Sequence, residues 1–453
     1  MATQFDIERF TSEELENQLG EYWMRIPEQI RLLNRLIYLE WASARIIAGW
    51  VPAAEELEWK CALVKMIWHN MTIADRLLER KQELASNRTI TIPSETLHTF
   101  VQNSAGADGF FPFVAGWFLE LTREQIAVYE QFIEVLDPIF DAPTLEILQE
   151  VLPKKRQQVT FAMSLIHDAV KETADLQAVT RWRIYTKQYL QAIGGLTETE
   201  ERLRAIPPSP IVQAYGPAPR QVSHPRWLKK GDLLNPPEEF ANNLRTFMWH
   251  YATEIQVVDP MCYVFYGVDD MPFEFYVDLS RHIWDESRHH LMGVRRLRQL
   301  GYDLKDVPLP FQEEALQQLE SYYGSLTMIG ESCSFNRKRD SLKAYYERGD
   351  IISGMTAEID ITDERSHVRF GKKWVPQLYR QRFGDSSSLT EIVDRLMQGV
   401  LDERELNQSG ELTESEKDRL SHAAFCGKIE FKYLNFERPF HEGPVHTPEG
   451  AAH

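Results

Sequence analysis

Two short runs carry the residue types most suited to chemistry: Asp285-Glu286-Ser287-Arg288-His289 and Asp363-Glu364-Arg365-Ser366-His367. In each, a glutamate precedes a histidine by three positions. On a helix that spacing puts carboxylate and imidazole on one face, where both can reach a single metal ion. One Glu-x-x-His is a weak signal, but two of them, each preceded by Asp, are a strong one. A lone glutamate also stands upstream of each run: Glu254 lies 32 residues before Glu286, and Glu331 lies 33 before Glu364. Antiparallel helices of about 20 residues, with their turn, bring residues so spaced to one depth. Glu254 is flanked by His250, Val257, Val258, Met261 and Phe265, and Glu331 by Met328, Phe335 and Leu342. Carboxylates on such apolar stripes are costly unless paired or bound to metal.

The arrangement resembles the ferritin-like di-metal carboxylate superfamily, in which two helices each supply a Glu and two others each supply Glu-x-x-His. The Asp-Glu-x-Arg-His run also resembles the motif of bacterial multicomponent diiron monooxygenase hydroxylases. Arg288 matches the motif's Arg, whereas the second run has Arg365-Ser366 in swapped order. Over roughly residues 240–380, the resemblance implies Glu254, Glu286, His289, Glu331, Glu364 and His367 as metal ligands. Asp285 and Asp363 would accept the imidazole N–H groups and so fix the tautomers. It further implies two iron ions that reduce O2 and thereby hydroxylate, N-oxygenate, desaturate or cleave a small organic substrate. Electrons would come from an external donor, since the chain has no flavin or nicotinamide fingerprint and no rubredoxin-type cysteine pairs.

Charge supports the assignment independently. Four glutamates balance two divalent ions, whereas without metal they would repel one another and raise each other's pKa. Mixed carboxylate and imidazole ligation suits iron or manganese over zinc or calcium, with iron favoured and Mn or mixed Mn/Fe as the alternative. His250 and His282 each sit four residues before a glutamate ligand. Each is expected to hydrogen-bond behind a ligand or at the rim, the alternatives being a seventh ligand or a proton shuttle. Asp360, four before Glu364, is expected to orient a ligand, the alternatives being metal binding or water orientation. Glu320 is the rival to Glu331, disfavoured by spacing. Tyr251 and Tyr263 are expected to be packing residues, with a radical role as the alternative. Cys333 should face away from Glu331, and Arg295, Arg296 and Arg298 should end a solvated helix.

The elements that must position these groups are helices. Amphipathic stretches recur at about 26–56, 57–85, 112–138, 143–175 and 178–205, and again at about 238–267, 272–300, 311–348, 351–380 and 388–407. The best candidate strand, Thr89–Ile92, is short. Between the two sets, residues 206–237 hold eight of the 23 prolines and should form an extended connector. The halves look duplicated: Ile67-Trp68 matches Ile283-Trp284 at an offset of 216, and Thr144 matches Thr356 at 212. Glu40 matches Glu254 at 214, and Glu120 matches Glu331 at 211. On these offsets Glu286, His289, Glu364 and His367 correspond to Asn70, Ile73, Leu152 and Lys155, so neither Glu-x-x-His has a counterpart. The expectation is an all-α chain of tandem ferritin-like four-helix bundles. Residues 1–205 would form a degenerate, metal-free bundle and 206–237 the connector. Residues 238–436 would form the di-metal bundle with its C-terminal helices, and 437–453 an irregular tail.

Composition bounds the partners. Hydrophobic residues at 43% suffice for large cores, and a net charge of −18 argues against a nucleic-acid binder. No run of roughly 20 apolar residues could span a membrane, and the first residues lack the apolar core of a secretory signal. Cys61, Cys262, Cys333 and Cys426 show no CxxC spacing and are expected to be reduced thiols of a cytoplasmic protein. A monomer or homodimer is expected. An O2-dependent oxidase or oxygenase is the first reading. A ferroxidase or peroxide-reducing iron-handling protein is the second, and a non-enzymatic helical scaffold with a structural metal the third.

Overall fold

The computed structural model describes residues 24–197, 204–210, 227–228, 250–269, 271–301, 309–310 and 319–409. The described residues are all-α apart from a two-residue parallel ladder, β1 (Trp227–Leu228) with β2 (Leu309–Pro310). The helices are α1 (Ile26–Trp50), α2 (Leu57–Ala85), α3 (Glu95–Ala105), α4 (Phe110–Gly116), α5 (Thr122–Glu134), α6 (Ala142–Ala169) and α7 (Thr173–Ala192). They are followed by α8 (Ile255–Gly267), α9 (Phe273–Gln299), α10 (Leu319–Ser325), α11 (Ser332–Glu347), α12 (Ile351–Phe383) and α13 (Leu389–Ser409). Among the described residues, no helix is long and apolar enough to cross a membrane.

Two π-helical segments interrupt the regular pattern: Trp117–Leu121 joins α4 to α5, and Leu326–Glu331 joins α10 to α11. A π turn is rare and often sits at a functional site. Glu120 and Glu331, paired by the sequence offsets, each lie in one of them.

Contacts divide the chain into two units, residues 1–40 with 73–213, and 41–72 with 214–453. The assignment of residues 41–72 to the second unit was not anticipated, and its cause is a set of buried partners distant in sequence. Arg45 pairs with Asp269 at 2.7 Å, and Lys60 with Asp259 at 3.1 Å, with both pairs fully buried. Trp68 stacks on Trp284 at 5.8 Å.

In the first unit, α4 packs on α6 and α7, and α5 on α6, around Phe113, Trp117, Phe118, Tyr129 and Trp182. Residues 89–92 form no strand. Their backbone groups pair with side chains instead: Asn34 donates to the Thr91 carbonyl at 2.9 Å, and Lys81 donates to that of Thr89. In the second unit, α8 packs on α9 and α10, α9 on α12, and α11 on α12. Asp350 caps α12 by accepting from the Ser353 N–H at 3.1 Å, and Gly384 closes it in the left-handed conformation at φ 64°. Arg296 in the last turn of α9 is not simply solvated, because it bonds Asp350 at 2.8 Å and Ser353 Oγ at 2.9 Å. That clamp fixes the register of α9 against α12. The connector 206–237 is described only at 206–210 and 227–228, and the tail 437–453 lies outside the described residues.

Candidate metal centre

Helices α8, α9 and α12 and the end of the second π segment bring most of the expected ligands together. Gly371 permits the close approach of α12 to the π segment. A Cβ there would fall 2.6 Å from Thr327 Cβ and 2.8 Å from Met328 Sδ. His367, one turn before Gly371, thereby meets Glu331.

The first group is His282 and Glu286 on α9, Glu331, and His367 on α12; its donor atoms lie within 4.8 Å of one another, and all four residues are buried. His282 Nε2 is 2.7 Å from Glu331 Oε1 and 3.4 Å from Glu286 Oε1. His367 Nδ1 is 3.4 Å from Glu286 Oε1 and 3.5 Å from Glu331 Oε1. The second group is Glu254, His289 and Asp360. His289 Nδ1 lies 3.1 Å from Glu254 Oε2 and 3.5 Å from Asp360 Oδ1.

Three placements differ from expectation. His282 is no rim residue: one turn before Glu286 on the same face, it is fully buried inside the first group and stacks on His367 at 3.7 Å. Asp360 stands inside the second group instead of behind it, being one turn before Glu364. Glu364 belongs to neither group, because it faces the ammonium of Lys338 and accepts from Ser334 Oγ at 3.1 Å. His250 is partly exposed, and its nearby charge helps hold Glu254 ionised. Tyr251 and Tyr263 are buried, Cys333 is exposed, and the side chain of Glu320 lies outside the described residues.

Behind the ligands the two motifs cross. His289 Nε2 bonds Asp363 at 3.3 Å, and His367 Nε2 bonds Asp285 at 3.3 Å. Each aspartate thus serves the histidine of the other run. Arg281 grips Asp285 at 2.8 Å and 2.9 Å and reaches Asp363 at 3.5 Å, while Arg288 contacts both. Arg365, in the swapped position, is exposed, so α9 supplies the guanidinium groups for both motifs.

Sequence reasoning missed Lys338 and Arg281. Lys338 lies seven residues after Glu331, two turns on along the same face, and that spacing was the available signal. Its Nζ is 2.8 Å from Asp360 Oδ1 and 3.7 Å from Glu254 Oε1.

The residues fit a metal pair. Nδ1 of His282, His289 and His367, together with Glu254 Oε2, Glu331 Oε2 and Asp360 Oδ2, are buried without a hydrogen-bond partner. Buried polar atoms are rarely left so. With Nε2 of His289 and His367 facing aspartates, an ion would be bound through Nδ1, which faces the carboxylates. Electrostatics agree. Burial opposes a charged His282 ring, but Glu331 and Glu286 outweigh it and raise its pKa to about 9. Burial likewise opposes ionised Glu331, yet His282 and His367 bring it to about 2. Burial, with help from Asp360, Glu331 and Glu254, pushes Glu364 well above the usual carboxylate range despite Lys338. A divalent ion would relieve both the repulsion and the vacant lone pairs.

In the first unit, Glu40 is buried and holds three side chains. Lys155 Nζ donates at 3.0 Å, Tyr129 Oη at 2.9 Å and Gln125 Nε2 at 3.4 Å. Lys155 occupies the position that the offset pairs with His367. A cavity of about 960 Å³ is lined by residues of the first unit and by none of the centre.

Residues 186–410 match a protein family described as of unknown function, DUF455, a span that contains every residue of the centre. No curated protein and no solved structure matches the chain.

Proposed function

We propose that the protein is a non-haem diiron oxidase or oxygenase that uses O2 to oxidise a small organic molecule. In this reading the chain is a pair of ferritin-like four-helix bundles. The second is built from α8, α9, α10 with α11, and α12; the first has lost its metal ligands. The observation that carries the reading is the pair of carboxylate–imidazole groups with unpartnered buried donor atoms, backed by crossed aspartates. Two π segments at matched positions support the duplication.

Glu286, Glu331, His282 and His367 would hold one ion, and Glu254, His289 and Asp360 the other, with Glu364 within reach once it leaves Lys338. When bound, the ions supply O2 reduction and the oxidising equivalent. The chain's own part is positional. Asp285 and Asp363 hold the imidazole tautomers, and Arg281 and Arg288 hold the aspartates in place. Burial of the first group, and of His289 and Asp360 in the second, keeps bulk water from most of the ligands. An external donor would supply electrons.

Anaerobic Fe(II) loading followed by metal analysis tests the reading. About two iron per chain are expected, and their loss in the Glu286→Ala/Glu364→Ala variant. Failure to take up iron refutes the di-metal assignment. Mixing the reduced protein with O2 then separates the classes. Oxidation of added organic substrates with stoichiometric O2 uptake supports an oxygenase, whereas continuous turnover of Fe(II) into ferric mineral overturns it in favour of a ferroxidase.

A further inference from the structure

The two metal positions are not equivalent, and a single residue makes them differ. Lys338, on α11, is buried and meets both carboxylates of the second group, Asp360 at 2.8 Å and Glu254 at 3.7 Å, together with Glu364, which belongs to neither group. None of its ion pairs reaches Glu286 or Glu331, the carboxylates of the first group. The ring of Tyr251 lies 5.7 Å from its Nζ and closes off the far side.

Charge accounts for its presence. Glu254, Glu286, Glu331, Asp360 and Glu364 carry five negative charges when ionised, one more than two divalent ions neutralise. Lys338 supplies the missing positive charge. The first group, with two glutamates and two imidazoles, is neutralised by one divalent ion. Glu254 and Asp360, counted with the Glu364 that shares Lys338 with them, need both an ion and the ammonium. Because that ammonium touches the carboxylates an ion must use, an incoming cation has to draw Glu364 away from it and then sit beside a like charge.

Resting on the di-metal reading above, we infer that Lys338 is a resident counter-charge for the Glu254–His289–Asp360 position and the cause of weaker metal binding there than at His282–Glu286–Glu331–His367. The centre loads in a fixed order, the four-residue position first. Lys338 is a positioning residue: it sets where Glu364 points and how strongly the second ion is held.

Titration of the metal-free full chain with Co2+, followed by calorimetry and visible absorption, tests the inference. For the unmodified protein, one tight ion and a second at least about tenfold weaker are expected, given the like charge beside the second position. In Lys338→Met the second affinity should rise by about tenfold or more while the first stays within about threefold. Lys338→Arg, which keeps the charge, should preserve the inequality. Two equally tight ions in the unmodified protein, or an unchanged second affinity in Lys338→Met, would overturn the role of Lys338 and leave the di-metal reading standing. No tight ion at all would instead refute the di-metal reading. Should Lys338→Met fail to fold, the stepwise affinities of the unmodified chain still decide.

Discussion

The crossing of the two motifs makes a prediction that sequence proximity would reverse. Asp285 adjoins Glu286 and lies four residues before His289, yet its carboxylate accepts from His367. Asn at position 285 keeps an acceptor for His367 Nε2 but removes the negative charge. A charge-assisted bond is worth about 1.5–3 kcal/mol and a neutral one about 0.5–1.5, so the loss is roughly 1–1.5 kcal/mol. That is about tenfold in metal affinity, at the low end of the 10–100-fold range seen when partners behind a ligand are altered. A double-mutant cycle assigns the loss. Asp285→Asn, His367→Ala and the double variant are compared by anaerobic metal titration, and the set is repeated with His289→Ala. Asp285→Asn should couple to His367→Ala by about 1 kcal/mol and only weakly to His289→Ala. Asp363→Asn should show the mirror pattern. Coupling of Asp285 to His289 equal to or greater than that to His367 would refute the crossed arrangement and the positions built on it.

Other consequences can be measured separately. Gly371→Val drives a side chain into Thr327 and Met328 and should cost about 1–3 kcal/mol of stability. It should also weaken the ion at Glu331 and His367 more than its neighbour, as followed by thermal unfolding and metal titration. Lys155→Met strands buried Glu40 and should destabilise the chain by about 3–5 kcal/mol. The Glu40→Gln/Lys155→Met pair should recover most of that loss in denaturant unfolding. Without metal, the pKa of His282 is raised to about 9, above its unfolded value of about 6.5. Its contribution, about 3 kcal/mol at most, is therefore fully present below pH 6.5 and lost as pH rises through 9. Denaturant midpoints of the metal-free protein should fall over that window, and less so in His282→Asn. Divalent-metal affinity should rise over the same range, because binding displaces the proton.

Much of this architecture is visible in residue spacing, and what is hidden has physical causes. Long helices such as α2, α9 and α12 announce themselves because a period of 3.6 repeats over many turns. Helix α3 escapes notice because only three turns, carrying Leu97, Phe100 and Val101, show the pattern. The π segment at Leu326–Glu331 is invisible because one extra residue in a turn barely disturbs the apolar period. The importance of the Glu-x-x-His runs was legible in their spacing, but the sharing of one ion within each run was not: Glu286 and His289 fall in different groups, and Glu364 in neither. Asp360 and His282 stand inside the candidate groups because position i+4 is as close as i+3, so spacing alone does not separate a candidate ligand from a residue that supports one. Lys338 stayed hidden because lysine on a helix ordinarily marks a solvated face. The attachment of residues 41–72 to the second unit depends on Arg45 meeting Asp269, 224 residues away, which no local pattern encodes.

Under the proposed duplication, the two units show one physical problem met in two ways. Each places a glutamate where water is scarce, Glu40 on a buried helical face and half-buried Glu254 at the start of α8, and there an unpaired charge is costly. In the first unit Lys155 meets that charge directly, with Tyr129 and Gln125 satisfying the remaining lone pairs. Such a closed network has no unfilled coordination site, so it contributes stability and local order, not chemistry. In the second unit Lys338 supplies an ammonium too, but against three carboxylates, and Nδ1 of His282, His289 and His367 finds no hydrogen-bond partner. One lysine cannot close that network. A structural network has no reason to keep this excess of acceptors over fixed cations, whereas a site that must take up and hold ions requires it. The stability of the metal-free second unit should therefore respond to divalent ions far more than that of the first.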